Sequence, residues 1–219
     1  MNNYGCWCVF GDNHGKGHGH PINDVDEKCR TLHWGYDCTI IDAVKRGEIC
    51  IPWDVKYQSG WWTSIEQLIS SCERLNKNNW CAQQACIHEG YFVNEVLVTV
   101  LDGVTPEFLE GKHDRGFDMS LECHNEVNYD YGATVTQGAI ENRVNFESFE
   151  NNNNKAPKVS GASVDFEFEE EQRECCGSAP HRRPYKSMNG ERACCGTKTY
   201  STKRFQCCDD GHVKPFCDL

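Results

Sequence analysis

Asp26-Glu27-Lys28-Cys29-Arg30-Thr31-Leu32-His33-Trp34-Gly35-Tyr36 is the stretch on which the fold turns. Cys29, Leu32, Tyr36 and Ile40 recur at helical spacing, and Asn23 or Asp24 stands where an N-cap belongs, so the run predicts a helix over about 24–41. A second long run, from about Trp80 to Leu101, places Cys81, Cys86, Phe92 and Val93 among its inward residues. Between the two, Ser64 with Gln67 three residues on has the form of a capping box opening a helix through about Leu75. Residues 50–63, with Pro52 and tryptophans at 53, 61 and 62, read as a loop or small hairpin whose tryptophans form a packed hydrophobic corner. Beyond Gly103 the alternation near 133–149 and at Val164-Phe166-Phe168 suggests short strands.

The chain has 219 residues, of which 16 are cysteine and only 38% are hydrophobic, a thin supply for a core built by apolar burial alone. The cysteines are either solitary (Cys29, Cys38, Cys50, Cys72, Cys123) or directly vicinal (Cys175-Cys176, Cys194-Cys195, Cys207-Cys208). Zinc modules need paired clusters so that four thiolates converge on one ion, and neighbouring half-cystines bond each other only through a strained ring. The pattern therefore reads as a disulfide framework in an oxidising compartment, which places the protein outside the cell as a secreted chain. No apolar run is long enough to span a bilayer, so no transmembrane segment is expected. MNNYGCWC has no basic or apolar leader, so Met1 reads as a trimmed boundary, and no Asn-x-Ser/Thr acceptor occurs.

The net charge of −11 is unevenly spread: −10 over residues 1–146, −5 over 147–174 and +4 over 175–219. An acidic body disfavours nucleic acid and anionic membrane and suits divalent cations or a basic surface. The basic end could fold onto the acidic body, bind an anion, or simply carry scattered solvated charge. The polar stretch NNNNKAPKVSGAS at 151–163 reads as a linker, which divides the chain into a body (1–146), an acidic linker with a short strand (147–174) and a cysteine-rich tail (175–219).

Tyr4-Gly5-Cys6-Trp7-Cys8 resembles the start of the calcium loop of secreted phospholipases A2, and the two long helices resemble that family's paired helices. Cys81 and Cys86 fit the first two half-cystines of the partner helix, and the likeness covers roughly residues 4–101. It implies a mainly α, disulfide-rich body built on an antiparallel helix pair, with small β elements. It also implies the pairs Cys8–Cys29, Cys72–Cys86, Cys50–Cys81 and Cys6–Cys123, leaving Cys38 to bond a tail cysteine or, as a disulfide-linked oligomer, another chain.

The departures are as informative. Two family bridges are replaced at both ends, by Lys28 with Glu95 and by Gly35 with His88. The members of each helix's pair lie seven residues apart, about 10.5 Å of helix, so antiparallel packing sets Lys28 against Glu95 and Gly35 against His88. In the family a histidine activates water, the next residue, an aspartate, holds calcium with loop carbonyls, and the metal stabilises the oxyanion. Here those positions read Leu32 and His33, or, with a one-residue shift, His33 and Trp34, so the metal-holding carboxylate is absent on either alignment. The resemblance therefore implies a catalytically silent body. An active calcium-dependent enzyme would have to use His33 with Asp37 or Glu89, the last lying where the family keeps the aspartate that orients its histidine. His33 and His88 otherwise read as hydrogen-bonded imidazoles at the edge of the core.

The loop after Cys8 is longer than the family's and rich in glycine, and it carries Asp12, His14, His18 and His20. Those side chains have the donors for zinc or copper, and Asp12 with Asp24, Asp26 and Glu27 could offer oxygens to calcium. A plain solvated loop is the third reading. The tail's di-cysteines, with Gly177, Gly196, Tyr185 and Tyr200 between them, resemble the repeats of galaxin-type proteins of coral skeletal matrix. Such a tail implies a ladder of small cross-linked hairpins. Taken together, the resemblances imply a secreted matrix protein, as in the otoconin-type proteins of calcium carbonate structures, with a mineral surface or other matrix proteins as partners. The alternatives are the active phospholipase and a toxin or receptor-binding ligand on the same scaffold.

Overall fold

The structure, a computed structural model, describes residues 4–11, 14, 16–101, 119–123 and 173–217. Helix α1 (Asp24–Lys45) begins at Asn23, whose side chain accepts the Asp26 N–H, and it sets Asp24, Asp26 and Glu27 in its first turn and Lys45 in its last, the charge order that complements a helix dipole. Helix α2 (Ile65–Leu75) begins at Ser64, whose Oγ accepts the Gln67 N–H at 3.3 Å. Gln67 reaches back to the N–H of Thr63, one residue earlier than a reciprocal capping box requires. Helix α3 (Trp80–Leu101) begins after Asn79, whose side-chain oxygen accepts the Ala82 N–H. A four-residue turn of helix, α4 (Met119–Glu122), leads to Cys123.

α1 and α3 pack antiparallel, in the register that the spacing predicts. Lys28 Nζ lies 3.1 Å from Glu95 Oε2 near one end, and Gly35 lies against the His88 ring two turns along. The apolar core is divided into small clusters, each containing half-cystines. Tyr4, Trp7, Val25 and Val96 gather around Cys6, Cys8, Cys29 and Cys123. Leu68 and Ile87 meet Cys72 and Cys86 between α2 and α3, and Ala43 meets Cys50 and Cys81. Burial and covalent closure therefore act at the same places, as a chain with few large apolar groups requires.

The body disulfides are Cys6–Cys123, Cys8–Cys29, Cys50–Cys81 and Cys72–Cys86, the pairs that the phospholipase resemblance implies. Cys38 bonds Cys175 at the head of the tail. This corrects the expectation of a disulfide-linked oligomer through Cys38: the sulfur is buried on α1 and is already bonded within the chain, and no cysteine is free.

The tail consists of three antiparallel hairpins, β1 (Arg173–Cys176) with β2 (Arg183–Lys186), β3 (Arg192–Cys195) with β4 (Lys198–Ser201), and β5 (Gln206–Cys207) with β6 (Val213–Lys214). Cys176–Cys194 and Cys195–Cys207 join each hairpin to the next, and Cys208–Cys217 closes the last. The first hairpin lies on the body. Arg182 pairs with Asp42 of α1 at 2.6 Å, and Ala179 packs against the Leu68 cluster.

Residues 50–63 form a loop without strands, and its tryptophans separate instead of making one corner. Trp62 joins the Leu68 cluster, Trp53 turns toward the N-terminal loop, and Trp61 is 92% exposed. Among the described residues no helix is long and apolar enough to cross a membrane. The strands expected near 133–149 and 164–168, and the linker at 151–163, lie outside the described residues.

Candidate functional site

Asp26 organises the N-terminal loop from the first turn of α1. Its carboxylate is wholly buried and accepts the N–H groups of Cys6 at 2.8 Å, Trp7 at 2.7 Å and Ile22 at 3.0 Å. Both ends of the segment that carries the histidines are thus pinned to one side chain. Gly5, at φ +61°, lies so close to that carboxylate that a side chain there would collide with it. Burial pushes the Asp26 carboxyl up from its ordinary value, against the opposing pull of the backbone donors.

Within the pinned segment His14 turns inward. Its side chain is 2% exposed, and Nε2 lies 3.0 Å from Asp37 Oδ1. Because a carboxylate only accepts, that contact places a proton on Nε2. The ring stacks on His33 with a centroid separation of 4.6 Å and on Trp53 at 4.1 Å, with interplanar angles of 15° and 21°. One face of an imidazole has no room for both neighbours, so His33 and Trp53 lie on opposite faces. Phe10 stacks on His33 at 5.3 Å, and Trp7 meets the same ring edge-on at 5.9 Å.

His33 is therefore walled in. It has no exposed surface, and neither ring nitrogen makes a well-formed hydrogen bond. Burial, followed by the nearby His14 charge, pushes its pKa down to about 3, although the backbone of Trp7 and Val9 favours the charged form. His88 is likewise buried rather than hydrogen-bonded through Nε2. Burial, then the Arg182 charge, brings it down to about 4. Both imidazoles lie inside the core and not at its edge, with stacked rings around His33 and the facing helix against His88.

The other two carboxylates are committed elsewhere. Asp37, 3% exposed, serves His14 and not His33. Glu89 accepts the hydroxyl of Tyr36 at 2.7 Å and that of Tyr57 at 2.6 Å, one on each oxygen. Both phenols are pushed up by burial and by that negative charge. His33, Asp37 and Glu89 thus lie in one region of the helix pair without forming a base–acid chain through His33.

Of the metal set expected from Asp12, His14, His18 and His20, the three histidines do not converge. His18 Nδ1 contacts the Lys16 carbonyl and His20 Nδ1 that of Pro21, both at 2.8 Å, while His14 points inward; Asp12 lies outside the described residues. His33 cannot replace them beside His14. Lone pairs lie in ring planes, so two parallel stacked imidazoles cannot both address one ion. Among the described residues no three His, Cys, Asp or Glu side chains are placed to hold a metal.

Calcium fares no better on the loop. The carbonyls of Cys6, Trp7, Gly11 and Gly19 each accept an N–H from within the N-terminal segment, and Asp26 is occupied by three more. Of the other carboxylates expected to serve calcium, Glu27 pairs with Arg30 and Asp12 lies outside the described residues.

No protein family, no curated protein and no solved structure matches the chain.

Proposed function

We propose that the chain is a secreted structural protein of an extracellular, mineral-associated matrix, with a catalytically silent phospholipase A2-like body and a galaxin-like tail. The observation that carries the silent reading is how the reactive groups are spent. His33 is sealed among rings and held uncharged, Asp37 is bonded to His14, and Glu89 is bonded to two tyrosines. Water activation needs a base with a reachable lone pair and a carboxylate behind it, and this arrangement offers His33 neither.

The structural role is supported by the covalent plan. Eight disulfides hold helices and hairpins in one cross-linked body, and the tail is a linear ladder of short hairpins joined one to the next. The net charge of −11, with the Glu-rich run 167–171, suits weak attraction to calcium-bearing surfaces at many points. Those Glu residues lie outside the described part of the chain.

Two assays test the reading. Purified protein passed over calcium carbonate at physiological salt should be retained, and hydrolysis of a short-chain phospholipid should stay at background with or without calcium. Free passage over the mineral would remove the matrix role. Calcium-dependent hydrolysis that His33→Ala abolishes would favour the active enzyme instead.

A further inference from the structure

His14 occupies a built slot. Its walls are the His33 and Trp53 rings, nearly parallel to the imidazole between them, and the Asp37 carboxylate receives the ring N–H at its edge. Tyr36 approaches at a tilt, 5.7 Å from His14 and 6.3 Å from Trp53. Such a slot selects a flat ring that carries an N–H donor, because stacking fixes the plane and the carboxylate fixes the edge.

We propose that the slot between His33 and Trp53 is a binding site for planar nitrogen bases of the imidazole or guanidinium type, and that His14 is its intramolecular occupant. This inference is independent of the matrix reading, since it concerns only what the slot recognises. The side that receives the ligand belongs to α1 and the loop carrying Trp53, whereas the occupant comes from the segment pinned at Cys6, Trp7 and Ile22. The pins bracket His14 without including it, so the ring can leave the slot while Asp26 keeps its three donors. Withdrawal leaves Asp37 as a buried carboxylate with no donor from His14. An unsatisfied buried acceptor is costly, so the empty slot favours a replacement donor over none.

Imidazole is the probe, and furan, a flat five-membered ring without an N–H, is its control. In His14→Ala, saturating imidazole should raise the melting temperature by about 2–4 °C and change Trp fluorescence, while furan should do neither. The double variant His14→Ala/Asp37→Asn should lose the response. His14→Phe, which fills the slot without offering a donor, should also show none. The proposal is overturned if His14→Ala, with all eight disulfides formed, shows no saturable response, or if His14→Phe responds equally. Should His14→Ala fail to fold, the wild type decides by nuclear magnetic resonance: the His14 Nε2 proton should be downfield and slow to exchange. A ring that exchanges freely with solvent refutes the slot.

Discussion

His33 owes its uncharged state to its surroundings, and that makes its burial a pH-dependent part of stability. In the unfolded chain an imidazole takes up a proton near its ordinary value of 6.5, whereas in the fold the value is pushed down to about 3. Between those limits the unfolded state binds more protons, so stability is full above about pH 6.5 and is lost as pH falls toward 3. His88, pushed down to about 4, acts in the same direction. Each histidine contributes a slope of at most about 1.4 kcal/mol per pH unit. The denaturant midpoint should therefore drop from pH 7 to pH 5, and His33→Phe, which keeps the stacked ring and removes the titration, should drop less. Parallel losses in the two proteins would show that His33 is not the group responsible. Little of this was legible beforehand. The sequence marks His33 by its place on the first helix, but nothing in a glycine-rich loop says that His14 will reach inward to stack on it. Periodicity speaks for side chains on regular elements, and a single inward residue on a loop has none.

At the scale of elements, the helix pair was the most readable feature, because two independent replacements agreed on one register. Lys28 with Glu95 is an ion pair whose side chains keep about a quarter and a fifth of their exposure, and it contributes roughly 1 kcal/mol or less. Gly35 with His88 is the steric contact and the more demanding one. Alanine at 35 would gain about 1 kcal/mol of helix propensity over glycine, but its Cβ would lie within 3.0 Å of three His88 ring atoms. That ring is buried, with the Arg182 charge near it, and cannot simply turn away. Overpacking should win, so Gly35→Ala should destabilise by about 1–3 kcal/mol in chemical denaturation. Gly35→Ala/His88→Ala should recover part of the loss, because the added methyl then has room. A stabilising Gly35→Ala would mean that the helices are not this close. The helix starts at Asn23 and Ser64 were equally legible from their caps. The division of the tryptophans at 53, 61 and 62 was not, since composition marks a cluster without saying which ring faces which neighbour.

The whole molecule is held as one body by a bond that cysteine parity announced. Nine half-cystines before the linker and seven after it are both odd, so a bridge joins the two parts or leaves the chain unless each part keeps a free thiol. It is Cys38–Cys175, and it is the sole covalent link between body and tail besides the backbone. Among the described residues the noncovalent contacts between them include Arg182 on Asp42, both partly exposed, and Ala179 on the Leu68 cluster, with both strands of the first hairpin lying along α1. The pair is one contact at which a tail cation meets a carboxylate of the acidic body. Both halves are closed by their own bridges, so Cys38→Ser/Cys175→Ser should leave each folded and remove only their attachment. Cross-linking across a loop of this order contributes up to about 5 kcal/mol, whereas the ion pair contributes about 1 kcal/mol or less. The double variant should therefore unfold in two thermal transitions where the wild type shows one, with a larger radius of gyration by small-angle scattering. The seven other disulfides should still be found by peptide mapping of the unreduced protein. If the variant keeps a single transition and the wild-type radius, the noncovalent face between α1 and the first hairpin is strong enough by itself, and the bridge is a consequence of docking and not its cause.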